Sequence, residues 1–121
     1  MPVTIVVVDD SGLARGRLRG MICAVPGAQI VGEAVSAREA VSLIELLAPD
    51  VLILDIRMSS RSGLGLLEDL KNGATRPPTV IVVTNYPCDW YRKRCMELGA
   101  NFFFDKTKEF VRVREVIRAL V

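Results

Sequence analysis

The chain has 121 residues, half of them hydrophobic and a quarter charged, with a formal net charge of +2. That is the size of one ordinary domain, apolar enough to build a core without disulfide or metal staples, and too weakly charged to imply a nucleic-acid partner by itself. No apolar run approaches the ~18 residues that cross a bilayer and the start lacks a signal peptide's basic region, so the expected location is cytoplasmic, with no membrane partner.

Residues 3–8 are nearly all β-branched and apolar, which predicts a strand buried on both faces. It runs straight into two adjacent acids, Asp9 and Asp10, followed by Ser11 and Gly12. Neighbouring carboxylates repel unless something positive joins them; the alternative is a loop that simply caps the next helix. That helix, over 13–25, gathers Ala14, Leu18, Met21, Ile22 and Val25 on one stripe and sets Arg15, Arg17 and Arg19 opposite. Residues 29–34 alternate, with Glu33 mid-run, as suits an edge strand. Ser36 and Glu39 have capping-box spacing and open a helix bearing Ala40, Leu43, Ile44 and Leu47, with Pro49 just past its end.

A third strand, residues 51–55, is continuously apolar until it ends in Asp55. A short helix over 63–71 carries Leu64, Leu67 and Leu70 and is expected to close at Asn72 and Gly73. The fourth strand, 79–84, ends in Thr84; a helix over 87–98 follows and stops at Gly99. Residues 101–104 form a fifth strand that runs into Asp105 and Lys106, and a last helix over 107–120 presents Phe110, Val113, Ile117 and Leu120.

Five βα units in one short domain imply a doubly wound parallel sheet with helices on both faces: a flavodoxin-like (βα)5 fold of strand order 2-1-3-4-5. No G-x-G-x-x-G follows the first strand, which disfavours a dinucleotide site. Histidine is absent, and Cys23, Cys88 and Cys95 make no C-x-x-C pair. That argues against a zinc site and a disulfide framework, and it excludes a Ser-His-Asp or Cys-His mechanism within this chain.

In open parallel sheets, sites form beyond the carboxyl ends of the strands, where the strand order reverses. Here that point lies between strands one and three, so Asp9, Asp10 and Asp55 converge, flanked by the Thr84 hydroxyl and the Lys106 ammonium. The set suits phosphoryl chemistry: clustered carboxylates favour a hard divalent cation, and a hydroxyl and an ammonium suit phosphoryl oxygens.

This ordered set resembles a response-regulator receiver domain, the phosphoacceptor part of bacterial two-component signalling, over essentially the whole chain. The residues that carry the resemblance are Asp9 and Asp10, Asp55-Ile56-Arg57-Met58 followed by Gly63, Thr84, and Lys106 after Asp105. Receivers in front of helix-turn-helix regulators are the nearest flavour. The resemblance implies that Asp10 and Asp55 ligate Mg²⁺ (or Mn²⁺) with the backbone carbonyl of Arg57, while Asp9 acts through water. It implies that Asp55 is the phosphoacceptor nucleophile, that Lys106 pairs with one phosphoryl oxygen, and that Thr84 bonds another. The donor is then a histidine kinase or phosphotransfer protein, which fits the missing histidine.

The resemblance further implies a switch in which Thr84 moves and Phe103 turns inward behind it; plain strand packing is the alternative reading of that aromatic. The face made by helix four, strand five and helix five would then meet a partner or form a homodimer. Arg57, Asn85 and Tyr86 occupy places that tune phosphoryl lifetime, and bulk at Arg57 and Tyr86 would obstruct the attacking water. Ser59 and Thr107 stand where the pattern usually has proline. Arg92, Lys93 and Arg94, beside Trp90 and Tyr91, read as a docking or solvated helix face rather than a nucleic-acid site.

Two rivals differ in class. An aspartate-nucleophile phosphatase needs a D-x-D after strand one, and Ser11 breaks that pattern. A phosphorylation-independent pseudo-receiver would lack one of the acids or the lysine. The expectation is a single receiver domain over 1–121, with no effector domain and no substrate turnover of its own.

Overall fold

Runs of β-branched residues too apolar to face water on either side become the central strands of the computed structural model, which describes residues 2–57, 63–73 and 76–121. The elements follow in strict alternation: β1 (Val3–Val8), α1 (Gly12–Cys23), β2 (Ala28–Ala34), α2 (Ala37–Leu47), β3 (Val51–Asp55), α3 (Gly63–Gly73), β4 (Thr79–Thr84), α4 (Asp89–Glu97), β5 (Phe102–Asp105) and α5 (Phe110–Leu120). All neighbouring strands are parallel, in the order β2-β1-β3-β4-β5. This is the flavodoxin-like arrangement expected from the sequence.

Side-chain alternation splits the core into two layers. One side of the sheet presents Val6, Val8, Leu52, Leu54, Val82 and Phe103 to α2, α3 and α4. The other presents Ile5, Val7, Ile53, Ile81, Val83 and Phe104 to α1 and α5. Completely buried on both faces, β3 needs an apolar residue at every position until its last.

The edge strand β2 departs from simple alternation. Its register with β1 shifts between Ile5 and Val6, so Ile30 lies opposite Ile5 but Gly32 opposite Val6, and Val31 is the extra residue. Such a bulge re-aims the side chains beyond it. Glu33 consequently lies opposite Val7 and faces α1, where it bonds Arg15 and Arg19.

Helix ends differ from the sequence reading where side chains hold the backbone in turns. Thr107 and Lys108 lie outside α5 because the Asp105 carboxylate accepts from the Thr107 amide (2.9 Å) and hydroxyl (2.7 Å) and, at 3.4 Å, from the Lys108 amide. The α1 stripe packs as expected, but the helix stops at Cys23, and Val25 is buried beyond it. Ser36 caps α2 through the Glu39 amide, while Glu39 reaches back to the amide of Val35 instead of to Ser36 itself. In mid-chain, α3 includes Asn72 and Gly73, two residues past the end expected at Lys71. None of the described helices is long and apolar enough to cross a membrane.

Candidate functional site

The strands deliver their terminal residues to one end of the sheet. Among the described residues, the buried polar or charged ones are Asp9 (1 % exposed), Asp55 (6 %), Thr84 (0 %) and Lys106 (6 %), and all four sit at that end. Burial of four such groups together is costly unless they satisfy one another.

The local backbone explains how each arrives there. Asp9 continues the β1–β2 ladder, its amide donating to the Ala34 carbonyl at 3.0 Å. Its Oδ1 accepts from the Ser11 amide at 2.9 Å, and the Ser11 hydroxyl in turn caps α1 through the Ala14 amide at 3.2 Å. The same acid thus turns the chain and faces the site. Asp55 closes β3, and its Oδ1 accepts from the Arg57 amide at 3.0 Å. Gly63 makes the close return possible: a Cβ there would lie 2.7 Å from Ile56 Cα and 3.0 Å from the Asp55 carbonyl oxygen. Lys106 is tied to β4 by its amide, which donates to the Thr84 carbonyl at 2.8 Å.

The Lys106 ammonium bridges two of the acids. Nζ donates to Asp55 Oδ2 at 3.2 Å and stands 2.5 Å from Asp9 Oδ2. The second contact is the closer of the two ion pairs, so one ammonium serves both buried acids. Asp10 completes the group from an exposed position: one oxygen each of Asp9, Asp10 and Asp55 lie within 4.8 Å of one another.

Electrostatics follow from this crowding. Burial pushes the Asp55 carboxyl above its ordinary range, aided by the Asp9 charge and opposed by the Arg57 amide and Lys106. Burial alone would lower the Lys106 ammonium, but the close Asp9 carboxylate and the Asp55 charge outweigh it and hold the lysine above its usual value. The oxygens of three acids converge here, and Lys106 pairs with two of those acids. An all-oxygen set of this charge fits a hard divalent cation such as Mg²⁺.

Around the mouth, the expected tuning residues meet each other. The Arg57 guanidinium lies 4.1 Å from the centre of the Tyr86 ring, and both side chains are exposed. Asn85 is also exposed, and the Tyr86 amide donates to Thr84 Oγ1 at 3.0 Å. Phe103 lies in the core layer that α4 covers. Its ring is buried, with the Arg92 guanidinium 4.8 Å from its centre. Met58 and Ser59 lie outside the described residues. Thr107, in the place of the usual proline, instead binds the Asp105 carboxylate.

The arginines of α1, set opposite its apolar stripe as the periodicity predicts, have specific partners. Arg15 and Arg19 pair with Glu33, and the Arg17 guanidinium lies 4.5 Å from the Phe110 ring centre. Arg92 likewise folds back, donating to the Phe103 carbonyl at 3.3 Å. Long side chains choose such partners through tertiary geometry that no sequence spacing encodes.

The profile of the response regulator receiver domain family matches residues 5–118. The chain belongs to this family. It is 34 % identical over 123 residues to a protein-glutamate methylesterase/protein-glutamine glutaminase of Treponema pallidum, covering 98 % of this chain and 30 % of that protein. The chain therefore spans about a third of the length of such relatives. The response regulator domain of Thermotoga maritima CheB superposes with a TM-score of 0.84 at 29 % identity, covering 98 % of this chain and 96 % of that one. A LuxR-family two-component response regulator from Aurantimonas sp. SI85-9A1 gives 0.83 at 26 % identity, covering 98 % and 86 %. A methylesterase and a LuxR-family response regulator thus both contain regions that resemble this receiver. Its acidic pocket is the kind at which receiver domains are phosphorylated.

Proposed function

We propose that Asp55 accepts a phosphoryl group from a histidine kinase, a phosphotransfer protein or a small phosphodonor. The observation that carries this reading is the setting of one buried carboxylate, Asp55, between the Arg57 amide and Lys106 within the three-acid cluster. An Asp55 oxygen attacks phosphorus in line; the bond from phosphorus to the donor breaks, and the donor leaves with the bonding pair. The product is an aspartyl phosphate.

Asp9, Asp10, Asp55 and the Arg57 carbonyl would hold Mg²⁺ or Mn²⁺, which when bound offsets the acids' repulsion of the incoming group and stabilises charge on its oxygens. Lys106 exchanges its contact with Asp55 for a phosphoryl oxygen. The Tyr86 amide occupies one lone pair of Thr84 Oγ1, so the hydroxyl proton can donate to another phosphoryl oxygen.

The added charge and acceptors then act on the α4–β5–α5 face. Phe103 lies opposite Val82, two residues before Thr84, so Thr84 and Phe103 face the same layer. A shift of Thr84 is felt by Phe103 and, through its contacts, by Arg92 on α4. The partner of that face is a protein or a second copy of the chain. The receiver works in the cytoplasm, makes no direct contact with nucleic acid, turns over no separate substrate, and extends as one domain over 1–121.

Incubation with acetyl phosphate and Mg²⁺, followed by intact mass, tests the assignment. One added phosphoryl group is expected on the wild type and none on Asp55→Asn. Addition that persists in the variant removes Asp55 as nucleophile, and an unreactive wild type favours the pseudo-receiver.

A further inference from the structure

The peptide that joins the two adjacent acids has an unusual anchor. Arg15 Nη1 donates to the Asp9 carbonyl at 2.7 Å, while its Nε donates to Glu33 Oε1 at 3.2 Å. Both side chains are largely removed from solvent, at 20 % and 24 % exposure. Glu33 faces α1 only because of the bulge at Val31. Arg19 binds the same carboxylate, at 3.2 and 3.1 Å, and thereby stiffens it. A relay thus runs from the edge strand, through one planar guanidinium, to the backbone at the site.

We propose that Arg15 is a positioning residue: by clamping the peptide between Asp9 and Asp10 against Glu33, it sets how tightly the three-carboxylate site holds a divalent cation. The inference rests on reading the acids as a cation site. The Asp9 carbonyl and the Asp10 amide belong to one rigid plane, so fixing the carbonyl fixes the Asp10 amide and the position of the Cα from which its side chain starts. Asp10 is the exposed member of the triad, and the clamped peptide carries it directly. Glu33 offsets part of the positive charge that Arg15 and Arg19 bring near the site. A lysine could not replace it fully, because a single ammonium lacks the fork that reaches both partners.

The test is Mn²⁺ titration of the unphosphorylated full chain, with free Mn²⁺ read by electron paramagnetic resonance and melting temperatures taken separately in EDTA. Loss of an outer partner commonly weakens metal binding by about 10-fold or more, and that is the shift expected for Arg15→Gln. Arg15→Lys is expected to fall between Arg15→Gln and wild type. Glu33→Gln, which leaves Arg15 present but unanchored, should move in the same direction as Arg15→Gln. Arg19→Gln touches the same ion pair without reaching Asp9, so it should stay within about twofold of wild type, as exposed pairs do. A lower melting temperature for Arg15→Gln with unchanged Mn²⁺ affinity would overturn the proposal, and so would equal weakening by Arg19→Gln. Wild-type protein that binds Mn²⁺ but resists phosphorylation defeats the phosphoacceptor assignment and leaves the clamp standing; wild type that takes no Mn²⁺ defeats both.

Discussion

Asp50 and Asp55 bracket the same strand, and their fates differ completely. Asp50 leads into β3 from the end of the sheet remote from the acids. Its Oδ2 accepts from the Thr4 amide at 2.9 Å and the Thr4 hydroxyl at 3.1 Å, while its own amide donates back to Thr4. It is exposed, and this reciprocal bracket makes it a staple between β1 and β3. Asp55 closes the strand five residues later, buried among other charges, with Lys106 as its cation. Residue type is identical, so the environment decides. A carboxylate satisfied by its neighbour's backbone holds strands together. One forced against further acids stores electrostatic cost that a bound cation or phosphoryl chemistry can use.

The sharpest way to break this contrast is to remove the cation from the crowded end. Lys106→Met keeps much of the side-chain volume but leaves two buried carboxylates facing each other. Removing one partner of a buried ion pair costs about 3 kcal/mol or more, and that loss is expected from urea unfolding in EDTA. Mg²⁺ should return part of it by substituting for the ammonium. A variant as stable as wild type in EDTA would mean that the buried acids are as comfortable as Asp50.

The acidity of Asp55 gives the next test. Burial, the largest influence, raises the folded Asp55 carboxyl above its unfolded value of 3.8. The protonated form is therefore favoured by folding. That contribution is complete below the unfolded value and is lost as pH rises through the folded one. In EDTA, Asp55→Asn should consequently gain stability relative to wild type as pH is taken from about 4 to 7, followed by differential melting. A gap that shrinks over this window would show that Lys106 and the Arg57 amide, not burial, govern the group.

At the rim, the effect is kinetic and smaller. The Arg57–Tyr86 pair is exposed, where such contacts are worth about 0.5–1 kcal/mol. If the pair screens the aspartyl phosphate from water, Tyr86→Ala should shorten its lifetime by about two- to fivefold. The measurement is decay of the phosphorylated form by intact mass after the donor is removed. An unchanged or longer lifetime would leave Tyr86 as a surface ring only.

What the sequence displays, and what it hides, follows the same division. β1, β3 and β4 are legible because continuous β-branched runs have few other places to go, and the site is legible because topology gathers strand ends. Asp9, Asp10, Asp55, Thr84 and Lys106 could be brought together from order alone. The Val31 bulge could not, since an extra residue in a strand leaves no mark in an alternating pattern. The partners of Arg15 and Arg92 are not legible, because periodicity assigns a residue to a side of a helix, whereas a long side chain can reach around it. The start of α5 was placed too early because the turn that delays it depends on where the Asp105 carboxylate points.

The mildest test applies one substitution to both ends of β3. Asp50→Asn retains an acceptor oxygen for the Thr4 amide and hydroxyl, and loses only the charge. In an exposed setting the difference between a charged and a neutral acceptor is about 0.5 kcal/mol, so a small destabilisation is expected, with phosphorylation by acetyl phosphate unchanged. Asp55→Asn should do the reverse: abolish phosphorylation and, at neutral pH in EDTA, strengthen the fold. The two variants share chemistry, strand and size, which removes propensity and volume as explanations. If both moved stability in the same direction, position along the strand would not be what separates a staple from a reactive group.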